Sequence, residues 1–271
     1  MGFIWQSQEE FDERTSAPAA LAGFRAVQMT QGVMAVTLNI GLFVLVANHH
    51  RLQNRTYHLL CALAISDVLF GLYMTTHQLS SLAAGHPVPG GRPVCQVFGV
   101  FTVGPLVLSV ESYAIIAYDR YRALVTPLDV VSERRLVVLW AGAALFALFV
   151  AIEPFFGLGG YRVGPAGLYC MYEGAVESAC LLAVLVCCLG AVVVLYARTG
   201  AHLHRYMLRK QHQHLASTAL PEEVAEAQKW AATARKATVR MAALPLFYCI
   251  CWTPAVVSLP LQMFDVRSFV V

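Results

Sequence analysis

Six stretches of this chain, at about 27–48, 57–80, 94–119, 136–156, 176–197 and 239–263, run apolar almost without interruption. At about 1.5 Å per residue, each is long enough to cross the roughly 30 Å hydrocarbon core of a bilayer as a helix. Lipid offers no partner to a backbone N–H or C=O, so only helices and closed barrels can satisfy every such group internally. The runs are continuous and lack the alternation of a barrel strand. Composition points to the same solvent: 58% of the 271 residues are hydrophobic and 13% are charged, against about 25% charged in a soluble domain. The sequence therefore predicts an all-α, polytopic transmembrane helix bundle. Residues 1–26 precede it, 198–238 form its long loop and 264–271 follow it.

The net charge of +3 gives no argument for a nucleic-acid partner, and where the charges sit matters more than their sum. If the N-terminus is outside, the inner loops hold 14 of the 19 Lys and Arg, among them Arg51, Arg55, Arg120, Arg122, Arg134 and Arg135. Glu9, Glu10, Asp12 and Glu13 precede the first run without the basic start of a signal peptide, so the first span is expected to act as its own signal anchor. Gln6 stands where a myristoylation signal needs Ser or Thr. The expected location is the plasma membrane, crossed several times, with 1–26 and 264–271 extracellular, 198–238 cytoplasmic and membrane lipids as neighbours.

That orientation sorts the cysteines. Cys61, Cys180, Cys187, Cys188, Cys249 and Cys251 fall inside spans, where they behave as small apolar residues. Cys95 and Cys170 alone face the oxidising side, and a disulfide between them is expected. The Asn54-Arg55-Thr56 sequon faces the inside and should stay unmodified. His202, His204, His212 and His214 invite a metal reading, but i,i+2 pairs diverge around a helix, and a solvated face near anionic lipid accounts for them better. From His202 to Arg240 the loop reads as helical extensions of its two flanking spans, broken near Pro221.

Ionisable groups inside the spans cost enough to require a reason. Asp67 lies near mid-membrane, with Ser109 at similar depth on the third span and Asn39 as a further polar group on the first. Such a set suits a sodium ion, a proton relay or an internal hydrogen-bonded knot. Cys95, Thr102, Ser109 and Arg120 share one face of the third helix, since Cys95 to Arg120 spans very nearly seven turns. Glu111 points away from that face and reads as a protonated, locally hydrogen-bonded carboxyl rather than a catalytic one.

These residues resemble the rhodopsin-like (class A) G-protein-coupled receptors. The resemblance rests on Asn39, on Leu63-Ala64-Ile65-Ser66-Asp67, on Cys95 with Asp119-Arg120-Tyr121, and on Ala123, Pro127, Leu128, Trp140, Cys170, Tyr196 and Cys251-Trp252-Thr253-Pro254. It implies a receptor rather than an enzyme, one that senses an extracellular small molecule, lipid, peptide or light and activates a heterotrimeric G protein by outward movement of the sixth helix. Asp119, Arg120, Tyr121, Leu128 and Tyr196 would serve coupling and the switch, while Trp252 and Pro254 would form the toggle and kink. Thr102 and Trp252 would line the ligand pocket, and Asn39, Asp67 and Ser109 match the family's sodium site.

The chain stops 17 residues after Pro254, so the resemblance implies six of seven helices and leaves open a retinal-binding lysine in the seventh. Thr102 stands where amine receptors carry an aspartate, which disfavours a monoamine. A six-span transporter or channel would also carry a mid-membrane acid, but no internal repeat is evident. An intramembrane protease would need a second acid or a nucleophile: Tyr118-Asp119 and Gly157-Leu158-Gly159-Gly160 imitate an aspartyl pair whose glycine motif ends in the wrong residue.

Overall fold

A computed structural model of the protein describes residues 22–48, 55–84, 91–126, 131–163 and 170–216. Its helices are α1 (Ala22–Asn48), α2 (Arg55–Ala84), α3 (Gly91–Val125), α4 (Glu133–Ile152) and α5 (Ala175–Ala216). A 3-10 turn, Glu153–Phe156, follows α4, and two three-residue strands, β1 (Tyr161–Val163) and β2 (Cys170–Tyr172), precede α5. Among the described residues, five helices are long and apolar enough to cross a membrane. The expected sixth span at 239–263 lies outside the described residues.

Large apolar side chains face outward along these helices: Leu38 is 65% exposed, Leu145 69% and Val137 66%. In water such faces would be costly; in hydrocarbon they are the natural surface. Hydroxyls inside the spans bond back to their own helix, as Thr37 does to the Val33 carbonyl at 2.8 Å, Thr75 to Gly71 at 2.8 Å and Thr102 to Phe98 at 2.9 Å. No polar group on these residues therefore asks lipid for a partner.

The helices outrun the apolar stretches that signalled them. α3 continues through Arg120 and Arg122 to Val125, and α5 carries on past 197 through Arg198 and Arg205 to Ala216. Hydropathy reports where lipid ends, whereas Arg, Leu, Ala and Gln sustain a helix in either solvent. Pro105 sits within α3 without ending it. α4 does end at a proline: Pro154 opens the 3-10 turn, and Gly157 closes it at φ 82°, its N–H donating to the Pro154 carbonyl at 3.3 Å. A side chain rarely adopts that backbone conformation, and glycine does so freely.

The chain forms two compact units. The first holds α1, α2, α3 as far as Ser112, α4 from Val138, the hairpin and α5 as far as Ala183; the second holds Tyr113–Val137 and the rest of α5. In the first, α1 and α2 meet backbone to backbone at a pair of glycines. A Cβ built on Gly32 would lie 2.9 Å from the Gly71 carbonyl oxygen, and one built on Gly71 would lie 2.7 Å from that of Gly32. Small residues at a contact let membrane helices approach closely enough for dispersion to hold them. In the second unit the Ser132 hydroxyl accepts from the Arg135 N–H at 3.4 Å and starts α4.

The region between α4 and α5, left between two predicted spans, folds as an antiparallel hairpin pairing Tyr161 with Tyr172, Arg162 with Met171 and Val163 with Cys170. Strands this short leave too little alternation to detect. The Tyr161 and Tyr172 rings stack with centroids 5.2 Å apart. Their hydroxyls donate to α4's last carbonyls, Tyr161 to Ala151 at 2.7 Å and Tyr172 to Val150. Burial raises both phenols above the ordinary tyrosine range, so both keep the proton they donate. Gly99 of α3 lies against the Tyr161 ring and leaves no room for a Cβ there. Gln96, one turn earlier, donates to the Tyr161 carbonyl at 2.8 Å and accepts from its N–H at 3.2 Å.

Gly71→Val should force α1 from α2 and cost about 1–3 kcal/mol, the usual range for overpacking. The thermal unfolding midpoint of the purified protein is the measurement. An unchanged midpoint would show that the glycine contact is dispensable.

Candidate functional site

Asp67 and Ser109 meet. The Ser109 hydroxyl, on buried Ser109 of α3, donates to Asp67 Oδ1 on α2 at 3.0 Å. The ladder of α2 places Asp67 directly after Ser66, whose hydroxyl is spent on the Leu63 carbonyl at 2.7 Å. Asn39 does not complete the set with its donor: its amide nitrogen bonds to the Ala35 carbonyl of its own helix at 2.8 Å. A carboxylate and a hydroxyl are hard oxygen donors of the kind that suit sodium or another hard cation. No group of three or more His, Cys, Asp or Glu with metal-binding geometry occurs among the described residues.

One turn further along α3, the Ser112 hydroxyl accepts from Trp140 Nε1 of α4 at 3.2 Å. Glu111 departs from expectation. Its Oε2 is shut off from solvent and has no hydrogen-bond partner, so that oxygen is not locally bonded. The serine hydroxyl beside it is already committed to Trp140.

At the far end of α3, in the second unit, Asp119 is fully buried and holds Arg120 at 2.7 Å. Adjacent residues on a helix diverge by about 100°, and the long arginine side chain makes up the difference. Tyr196 of α5 lies close enough for the Arg120 charge to act on its phenol. Tyr121 is half-buried beside the pair. Leu128, Trp252 and Pro254 lie outside the described residues.

At the opposite end of α3, Cys95 and Cys170 are bonded, with Cα atoms 5.5 Å apart and both residues fully buried. The bond ties β2 to the first turns of α3, with Val94 and Phe98 packed against it. Thr102 is two turns along from Cys95 and half-buried, its hydroxyl bonded to the Phe98 carbonyl.

The family described as 7 transmembrane receptor (rhodopsin family) matches residues 38–270. This chain is a member of that rhodopsin family of receptors. Its helix bundle is similar to squid rhodopsin, with a TM-score of 0.67 and 18% identity over 94% of this chain and 75% of that one. Similar sequences include an olfactory receptor from Mus musculus, 31% identical over 49% of this chain and 47% of the relative. An octopamine receptor from Drosophila melanogaster is 29% identical over 42% of this chain and 23% of its own length. A lutropin-choriogonadotropic hormone receptor from Sus scrofa is 25% identical over 61% and 25% respectively. The chain spans less than half the length of these relatives. It is a multi-pass membrane receptor, and receptors of this family are not enzymes.

Sequence reading missed a second polar cluster in the receptor's first unit. His77, Gln78 and Ser81 of α2 are buried, and Gln78 Nε2 donates to Gln28 Oε1 of α1 at 2.7 Å. Polar residues scattered along an apolar run carry little weight until the fold turns them to one side. The signal was the spacing: Tyr73, His77 and Ser81 recur every four residues and so share one helix face.

The disulfide closes a loop with a sequence separation of 75, which stabilises by about 4 kcal/mol through the entropy removed from the unfolded chain. Cys95→Ser and Cys170→Ser should each reduce surface expression sharply, and the double variant should be no worse than either. Additive losses would contradict a shared bond.

Proposed function

We propose that this chain is the membrane part of a receptor that senses an extracellular ligand, or light, and activates a heterotrimeric G protein from the plasma membrane. The N-terminus is outside in this reading. The observation that carries it is the Asp119–Arg120 pair: a fully buried carboxylate holds a guanidinium at the end of α3 opposite the disulfide, beside Tyr196. A buried acid holding a cation is a bistable element, because a competing partner for the arginine shifts it between two arrangements. The ligand is an extracellular small molecule, lipid or peptide, bound toward Thr102 and Trp252. Membership of the receptor family favours this reading over a six-span transporter or channel.

Asp67 and Ser109 would hold a sodium ion, with Asp67 supplying the charge and Ser109 a neutral oxygen. The bound ion would balance the Asp67 charge, and Ser109 would orient that carboxylate between α2 and α3. A seventh helix carrying a lysine would extend the proposal to retinal and light.

Nucleotide exchange on a purified G protein is the test. Arg120→Ala in the complete receptor should abolish agonist-stimulated exchange, and Asp119→Asn should raise the basal rate by weakening the hold on Arg120. Exchange unaffected by Arg120→Ala would overturn the coupling role. A tag at residue 1 should be reachable on intact cells and one near Ala219 only after permeabilisation; the reverse would turn Arg120 away from any G protein.

For the ion, Asp67→Asn keeps shape while removing charge. Any sodium dependence of agonist affinity should disappear in that variant. If sodium still shifts affinity, Asp67 holds structure and not an ion.

A further inference from the structure

The end of α2 nearest the disulfide carries a group to which the receptor reading gives no task. His77 has no solvent exposure, and neither ring nitrogen has a hydrogen-bond partner. Two rings pack against it: Phe98 stands edge-on at 5.2 Å and Tyr73 is tilted at 5.7 Å. A neutral imidazole presents one donor and one acceptor, and native structures rarely bury both unmet.

Arg25, in the first turn of α1, is the nearby charge. It lies close enough to act electrostatically on His77. Its Nε is buried without a hydrogen-bond partner, and it has no carboxylate partner among the described residues. Gln28, three residues on from Arg25 and so on the same helix face, accepts from Gln78, the neighbour of His77. This bond holds α1 against α2 at the level of the cluster. The result is a cation without an anion among the described residues, beside an imidazole lacking its partners, with aromatic rings on one side.

We propose that Arg25 and His77 form a binding site for the carboxylate of a small organic acid with an apolar body. One carboxylate oxygen would take the Arg25 guanidinium and the other an imidazole N–H, while Phe98 and Tyr73 receive the apolar part. A carboxylate brings the single negative charge that one guanidinium balances, and a charge-assisted bond to Arg25 leaves its second oxygen for the imidazole N–H. A phosphate brings more charge than one arginine balances, and its desolvation beside these rings costs correspondingly more. A metal cation is disfavoured, since Arg25 would repel it and His77 is a lone ligand. Phe98 is one turn of α3 from Thr102, so the assignment deepens the receptor reading by extending its ligand site to Arg25 and naming the ligand's class, and rests on that reading for the ligand's role as a signal. Binding itself can be measured without a G protein.

The test uses the full chain, purified in phosphatidylcholine nanodiscs, with 3-phenylpropionate as the probe and 3-phenylpropanamide as its neutral match in size. At saturation the acid should raise the thermal unfolding midpoint by about 4 °C, as binding to the folded state alone requires, and the amide should leave it unchanged. Arg25→Gln should abolish that rise. His77→Phe keeps the ring's packing on Phe98 and Tyr73 and removes both unmet nitrogens. It should match or exceed the parent midpoint without ligand and lose at least half of the acid's effect. Equal protection by acid and amide would overturn the proposal, as would equal protection by inorganic phosphate at matched ionic strength. A full response persisting in Arg25→Gln would do the same. Coupling that fails while the acid still binds would count against the receptor reading alone.

Discussion

The absence of water around the spans is the constraint on which everything else here depends. In hydrocarbon an unmet polar group has no solvent to fall back on, so each hydroxyl and amide must either turn to its own helix or find another. Thr37, Thr75 and Thr102 take the first course and leave the helix surface apolar. Ser109 with Asp67, Trp140 with Ser112 and Gln78 with Gln28 take the second, and in doing so pin α3 to α2, α4 to α3 and α2 to α1. The few polar contacts between helices thus set which faces meet, where apolar packing alone would tolerate several registers.

The hairpin shows the same economy where the helices end. The last carbonyls of α4 lack a partner in their own helix, as at any helix C-terminus. Tyr161 and Tyr172 supply it from strands that Cys95 and Cys170 hold in place. Removing the bond would release β2, and with it the stacked rings that satisfy α4. Gly99 and Gln96 on α3 complete the seat, one by leaving space for a ring and the other by bonding both backbone groups of Tyr161. One covalent link therefore organises the ends of two helices.

Groups that fall outside this economy are where function is to be sought. His77 and Glu111 keep buried atoms without hydrogen-bond partners, and Asp119 spends its charge on an arginine at a helix end. A stable membrane protein has no structural use for an unmet imidazole. Such groups are tolerated where a ligand, an ion or a second conformation meets them.

By itself the sequence determined the solvent, the helical class and the family. Runs such as 136–156 are apolar enough that lipid is their only comfortable surroundings, and the spacing of Asp67, Cys95, Asp119-Arg120 and Cys170 is specific enough to identify the receptor family. The bond between Cys95 and Cys170 was legible too, because the orientation expected from the charges leaves those two thiols alone on the oxidising side. Tertiary structure decided the rest. Helix ends beyond the apolar stretches, at Val125 and Ala216, escape a reading based on hydropathy. The hairpin pairs residues through backbone groups that every residue carries, which no pattern of side chains announces. The cluster of Arg25, His77, Gln28 and Gln78 exists only because two glycines, far apart in sequence, let α1 and α2 close on each other. Sequence specifies the face each residue occupies on its own helix, and only packing specifies which other face it meets.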